Sequence, residues 1–188
     1  MGGSVATHAA ASRTKEVFAL VLVESGPDLR QDGIARMRSD LKEAHQNYAA
    51  IEDYVDWLGK RRTLVPSEKI RQFARRSLRL RPDGAFELKC DPRLMEKPDR
   101  DDADTALWNA IAHVRCPALV MRGIPSSVLT RDIATKVTKA FARGRLHTIN
   151  RAGHGLIAEN PEAFAAAVRE FLDRSAKACG RESDHDGA

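Results

Sequence analysis

The chain has only three cysteines, Cys90, Cys116 and Cys179, widely spaced and without a CxxC pair or a Cys/His cluster at metal-ligand spacing. An odd and scattered set argues against a disulfide-stapled scaffold and offers no zinc site, so reduced structural thiols are expected. No apolar run approaches the ~20 residues that a membrane span requires, and the N-terminus lacks the charged-then-apolar profile of a secretory signal. A myristoylation start would want Ser or Thr at the sixth position, where Ala6 stands. A cytoplasmic protein without a membrane partner is the resulting expectation. Aromatic residues make up only 5% of the sequence, and the net charge of +5 is unaccompanied by any helix-turn-helix, RNP or zinc-finger pattern. Lys60-Arg61-Arg62 and the row Arg71, Arg75, Arg79 are read as solvated faces, and no nucleic-acid partner is expected.

What is present suffices for one domain, or for a core with a satellite: 188 residues, 43% of them hydrophobic. Residues 3–12 are small and helix-tolerant, as suits a helix lying close against another backbone. Val17 to Val23 is a continuous apolar, β-branched run ended by Glu24-Ser25-Gly26-Pro27, the pattern of a strand in a parallel sheet. The same signature returns at Cys116 to Gly123, and Arg145 to Ile149 is a third short strand. A helix is expected over 131–142, through Ile133, Val137 and Phe141. Asn160-Pro161-Glu162 supplies an N-cap, a first-turn proline and a first-turn acid for another, whose apolar face carries Phe164, Val168, Phe171 and Leu172.

Between the first two strands, residues 39–105 are charged and without a strand signal. Asp40 is placed to cap a helix in which Leu41, Ala44, Tyr48, Ile51, Val55 and Leu58 recur before Gly59 stops it. Pro66-Ser67 opens a second helix with an apolar stripe through Ile70, Phe73, Ala74 and Leu78, while Asp83-Gly84, Asp91-Pro92 and the acidic stretch Asp99 to Asp104 read as loops. The organisation predicted is α/β: an α/β core over 1–38 and 106–178, a helical cap inserted over 39–105, and a disordered tail over 179–188. The three strands, near 17–23, 117–122 and 145–149, are expected to be adjacent and parallel. Trp57, Trp108 and the cap phenylalanines are read first as core, with a substrate-pocket lining as the alternative.

The sharpest chemical signal is Asn150-Arg151-Ala152-Gly153-His154-Gly155 followed by Glu159-Asn160-Pro161-Glu162-Ala163-Phe164. A histidine in a glycine-flanked loop after a short strand presents its imidazole at the C-terminal edge of the sheet, where α/β folds bind ligands. This segment closely resembles the "AGH…NPE.F" segment of α/β-hydrolases. Cys116 to Gly123 and Leu20 to Pro27 resemble that family's "cPtLvvrG" and "LVLvd.GP" strands, and Met1 to Ala6 resembles the second half of its "G-H-S-M-G-G" nucleophile elbow. The resemblance therefore covers the whole chain as a partial α/β-hydrolase fold.

The resemblance implies a nucleophile-acid-histidine triad with His154 as general base and a nucleophile one position before Met1. The Met1 amide would then contribute to the oxyanion hole. The family places its acid in one of two positions. The Gly-x-x-Asp spacing after Gly123 lands on Ser126, which cannot carry the charge; the end of the preceding core strand carries Glu24, in the chain order that the fold requires. Asp28 and Asp132 are alternative acids. His8, His45, His113, His147 and His185 have no partner pattern.

The implied activity is hydrolysis of an ester, thioester, lactone or activated C–C bond in a small-molecule substrate, without cofactor or metal. An aspartate nucleophile, as in members that open epoxides or displace halide, stays open. As written, the chain would lack the nucleophilic step, either because translation starts upstream or because it is a non-catalytic binding or structural fragment. The second case brings an expectation of self-association through an exposed sheet edge.

Overall fold

The computed structural model of the chain describes residues 2–95 and 101–183. Packing divides it into two units, Met1–Arg30 with Arg100–Ala188, and Gln31–Asp99. Among the described residues no helix is long and apolar enough to cross a membrane.

The first unit is built on three parallel strands, β1 (Leu20–Val23), β4 (Ala118–Ile124) and β5 (Gly144–Asn150), in the order β1-β4-β5. The second unit contributes the intervening strands β2 (Leu78–Leu80) and β3 (Phe86–Leu88). The central position of β4 explains its apolar run from Ala118 to Met121. Alternate side chains enter two cores, and Ala118 through Gly123 are all buried. On one face Leu20, Leu22, Ala118 and Val120 pack with α1 (Gly2–Ser12), α5 (Asp101–His113) and α6 (Arg131–Ala140) through Ala10, Leu107, Ile111, Ala134 and Val137. On the other, Leu119, Met121 and Ile149 meet Ala167 and Phe171 of α8 (Pro161–Ser183). Each fully buried Leu, Val or Met contributes roughly 1.5–3 kcal/mol of burial free energy. β1 and β5 are the sheet edges: buried and partly exposed residues alternate along β1, and Ile149 is the buried residue of β5.

Two glycines allow the close approaches that the sheet requires. A Cβ on Gly3 would lie 2.1 Å from Ser25 Oγ, so the small start of α1 sits against the residue that follows Glu24. A Cβ on Gly123 would lie 2.1 Å from the Ala152 carbonyl oxygen. Gly123 therefore does not end its strand as the sequence suggested, because β4 continues one residue further and bridges from Ile124 to Ala152. β1 begins at Leu20, not Val17: Val17 N–H closes a turn onto Arg13, and Phe18 is left exposed.

The second unit holds α2 (Gln31–Ala44), α3 (Ile51–Arg61), α4 (Ser67–Ser77), the hairpin of β2 (Leu78–Leu80) and β3 (Phe86–Leu88), and a 3-10 turn at Pro92–Met95. Its core gathers Tyr48, Tyr54, Leu58, Ile70, Ala74, Leu78 and Leu88. The single helix expected from Asp40 to Leu58 is in fact two. Tyr48 exchanges backbone hydrogen bonds with Phe86, and Asp53 caps the new start by accepting from Ala50 N–H. Asp40 lies inside α2, and Gly59 lies inside α3 instead of stopping it. The insertion also contains strands, contrary to expectation. Asp83-Gly84 is their turn, with Gly84 at φ +85° and Arg81 bound to both Asp83 and Glu87.

Two other boundaries move. Residues 101–104, read as loop, open α5. α8 runs past the expected start of the tail at 179 and continues to Ser183; Ser175 is buried and donates to the Phe171 carbonyl. Of the expected loop and tail, residues 96–100 and 184–188 lie outside the described residues.

Candidate active site

At the C-terminal edge of β1 the backbone turns sharply. Glu24 takes φ +50°, a left-handed conformation that costs a non-glycine residue roughly 1–2 kcal/mol. The turn directs its side chain along the sheet edge toward β4. The carboxylate is almost fully buried, 1% exposed, and is surrounded by donors. Gly123 N–H donates to Oε1 at 2.7 Å, and the Ser126 hydroxyl donates to Oε2 at 2.6 Å.

His154 approaches from β5. Arg151, also left-handed at φ +55°, turns the chain, and Ala152 N–H bonds to the Ile124 carbonyl. Gly153 N–H donates to the Glu159 carboxylate, and α7 (Leu156–Glu159) closes the loop. Asn160 then caps α8 by accepting from Ala163 N–H while its amide donates to the Asn150 carbonyl. The loop is thus tied to both its flanking strand and its following helix. It holds His154 Nδ1 3.4 Å from Glu24 Oε2.

A hydrogen-bonded carboxylate oxygen only accepts, so Nδ1 carries the proton and the neutral imidazole keeps its lone pair on Nε2. Nε2 has no hydrogen-bond partner among the described residues, and the His154 side chain is 41% exposed. A buried acid behind a reachable imidazole is the arrangement that lets a histidine accept a proton from a reacting group. The 3.4 Å separation is at the long end for such a bond, as is common before substrate tightens the site.

The alternative acids lie elsewhere. Asp28 accepts from Trp108 Nε1 at 3.1 Å and from Lys136 Nζ at 2.6 Å, and the Lys136 hydrogen bond holds its carboxyl below the usual aspartate range. Trp108 is accordingly a partner of Asp28, with Lys136 over its ring, and Trp57 stacks on Tyr54 beneath Arg61. Asp132 sits in the first turn of α6, beside the Thr130 cap. Met1 lies outside the described residues. Ser126 stands beside Glu24, as the spacing after Gly123 suggested, while the Gly123 amide and the Glu159 brace were not read from the sequence. A glycine after an apolar run and the fixed Glu-Asn-Pro spacing were the available signals. Among the described residues no three His, Cys, Asp or Glu side chains converge as metal ligands.

The family model described as "Alpha/beta hydrolase family" matches residues 1–167. Solved structures agree in fold. E-2-(acetamidomethylene)succinate hydrolase superposes with a TM-score of 0.76 at 21% identity, over 89% of this chain and 62% of that one. An esterase from Mycobacterium tuberculosis gives 0.72 at 20%, over 91% and 57%. An α/β hydrolase from Novosphingobium aromaticivorans gives 0.73 at 25%, over 92% and 62%. The chain thus spans about three-fifths of the length of these structures. No curated protein matches the sequence.

Proposed function

The chain belongs to the α/β-hydrolase family, and on that premise we propose that it supplies the acid-base half of a hydrolase site acting on an ester, thioester, lactone or activated C–C bond. The observation that carries the reading is the Glu24–His154 pair, brought together at 3.4 Å from the ends of β1 and β5. In this reading Glu24 orients and stabilises the imidazolium. His154 takes the proton of the nucleophile through Nε2, then returns it to the leaving group.

The family's elbow places the nucleophile just before the position that Met1 matches, and in this reading the Met1 amide serves the oxyanion hole. The contact of Gly3 with Ser25 supports this, since it sets the start of α1 beside the acid. A helix N-terminus there offers amides to a developing oxyanion. Attack on the carbonyl would form an acyl-enzyme and expel the alcohol, thiol or carbanion, protonated by His154; water activated by the same imidazole would then release the acid.

Labelling with a fluorophosphonate tests the assignment. A product extended N-terminally through the elbow serine is expected to take up one equivalent, and His154→Ala is expected to abolish the uptake. Full labelling of the His154→Ala protein would contradict the proposal. An extended product with aspartate at the elbow would remain unlabelled and belong to the halide- or epoxide-processing chemistry.

A further inference from the structure

We infer that Ser126 is a positioning residue for the Glu24–His154 pair, its hydroxyl acting as the fixed donor that aims the carboxylate at the imidazole. The inference rests on the acid-base reading of that pair. It starts from the hydroxyl's own inventory of one proton and two lone pairs. Ser126 Oγ accepts from Val128 N–H at 3.3 Å and from Leu129 N–H at 3.2 Å, so both lone pairs are engaged by the backbone that leads into α6. The remaining proton points to Glu24 Oε2 at 2.6 Å, the same oxygen that faces His154 Nδ1. The hydroxyl is therefore committed as a donor, with its direction set by two amides.

The carboxylate needs such a clamp. A glutamate side chain has three rotatable bonds, and ordering one costs conformational entropy. Gly123 N–H fixes Oε1; without Ser126 only the longer 3.4 Å contact to His154 would hold Oε2. Ser126 supplies the second point and thereby sets the plane of the carboxylate toward His154. The residue type follows from the same geometry. A second carboxylate at position 126 would put like charges within hydrogen-bond distance in a buried setting, which is costly, whereas a short donor complements the one that is there.

The test reads the tautomer of His154 in the 188-residue chain. ¹⁵N-histidine NMR is recorded at about pH 9, above the ordinary histidine range, in solution or under magic-angle spinning. The His154 signals are assigned by their loss in His154→Gln. The parent is expected to hold the proton on Nδ1, and Ser126→Thr, which keeps the hydroxyl, is expected to match it. Ser126→Ala is expected to shift the Nδ1–H to Nε2–H ratio about fivefold or more toward Nε2–H, the order of one hydrogen bond. Should the alanine protein not fold, Ser126→Cys keeps the size but donates weakly, and is expected to move the ratio in the same direction. A parent-like ratio in the alanine or cysteine protein would overturn the inference, as would equal loss in alanine and threonine, which marks packing and not donation. Glu24→Met separates the two levels. If it shifts the ratio while Ser126→Ala does not, only the role of Ser126 fails; if it too leaves the parent ratio, the Glu24–His154 pairing itself fails.

Discussion

Glu24 and His154 are 130 residues apart in sequence, yet one carboxylate oxygen of Glu24 lies 3.4 Å from Nδ1 of His154. Glu24 follows β1 and His154 lies in the loop after β5, at opposite edges of the three-stranded sheet, and the glycine at position 123 of the central strand lets the His154 loop close over it.

That closure makes Gly123 sensitive. In Gly123→Ala the new methyl would meet the Ala152 and Gly153 carbonyl oxygens at 2.1 and 2.5 Å, and both belong to backbone. Urea unfolding is expected to show a loss of roughly 2–4 kcal/mol, in the range of severe core overpacking. A midpoint unchanged from the parent would show that the His154 loop yields freely.

The acid assignment is separable from its rivals. In an extended, active product, Glu24→Gln is expected to lower kcat by roughly 10³-fold or more, the scale seen when a triad acid is neutralised. Asp28→Asn, whose partners are Trp108 and Lys136, is expected to stay within about threefold of the parent. Comparable kcat losses in both would count against Glu24.

Asp28 should instead report on stability and pH. Its carboxyl is held low, first by the Lys136 hydrogen bond. The pair therefore stabilises the fold above the unfolded-state aspartate pKa, and that stabilisation is lost as pH falls through the lower folded-state value. With side chains 40% and 63% exposed, solvent screening limits the effect to below about 1 kcal/mol. Thermal melts of the parent and Lys136→Met should differ at pH 6 and converge at about pH 2. A gap that persists in acid would assign the difference to the packing of Lys136 over Trp108.

Self-association is expected through β1. Leu20 and Glu24 direct their N–H groups to β4, so by alternation Val21 and Val23 direct theirs to the open edge. In Val21→Pro the ladder to β4 loses no donor, while edge pairing is blocked. Sedimentation velocity is expected to show oligomers for the parent chain and a shift toward monomer for the variant. A monomeric parent would remove the basis for edge pairing.

The sequence made the three parallel strands and the His154 motif legible because both depend on local pattern: apolar runs such as Leu119 to Met121, and a histidine at fixed distance from a helix cap. It hid the break between α2 and α3 because Leu41, Tyr48 and Leu58 keep helical spacing across it. What splits them is the pairing of Tyr48 with Phe86, a tertiary event. The β2–β3 hairpin was hidden for another reason: three-residue strands are too short to show a period. Within the site, side-chain identities were readable, but not the direction of the Gly123 amide or the Ser126 proton. Those depend on how separate strands are set side by side.

The central claim, that Glu24 and His154 form the acid-base pair of a hydrolase, is tested most directly by p-nitrophenyl ester turnover. The 188-residue chain is expected to give only background hydrolysis. A product extended through the elbow nucleophile is expected to turn over, and His154→Ala is expected to cut its kcat by roughly 10⁴-fold or more. Sustained turnover by the 188-residue chain that survives His154→Ala would contradict the account.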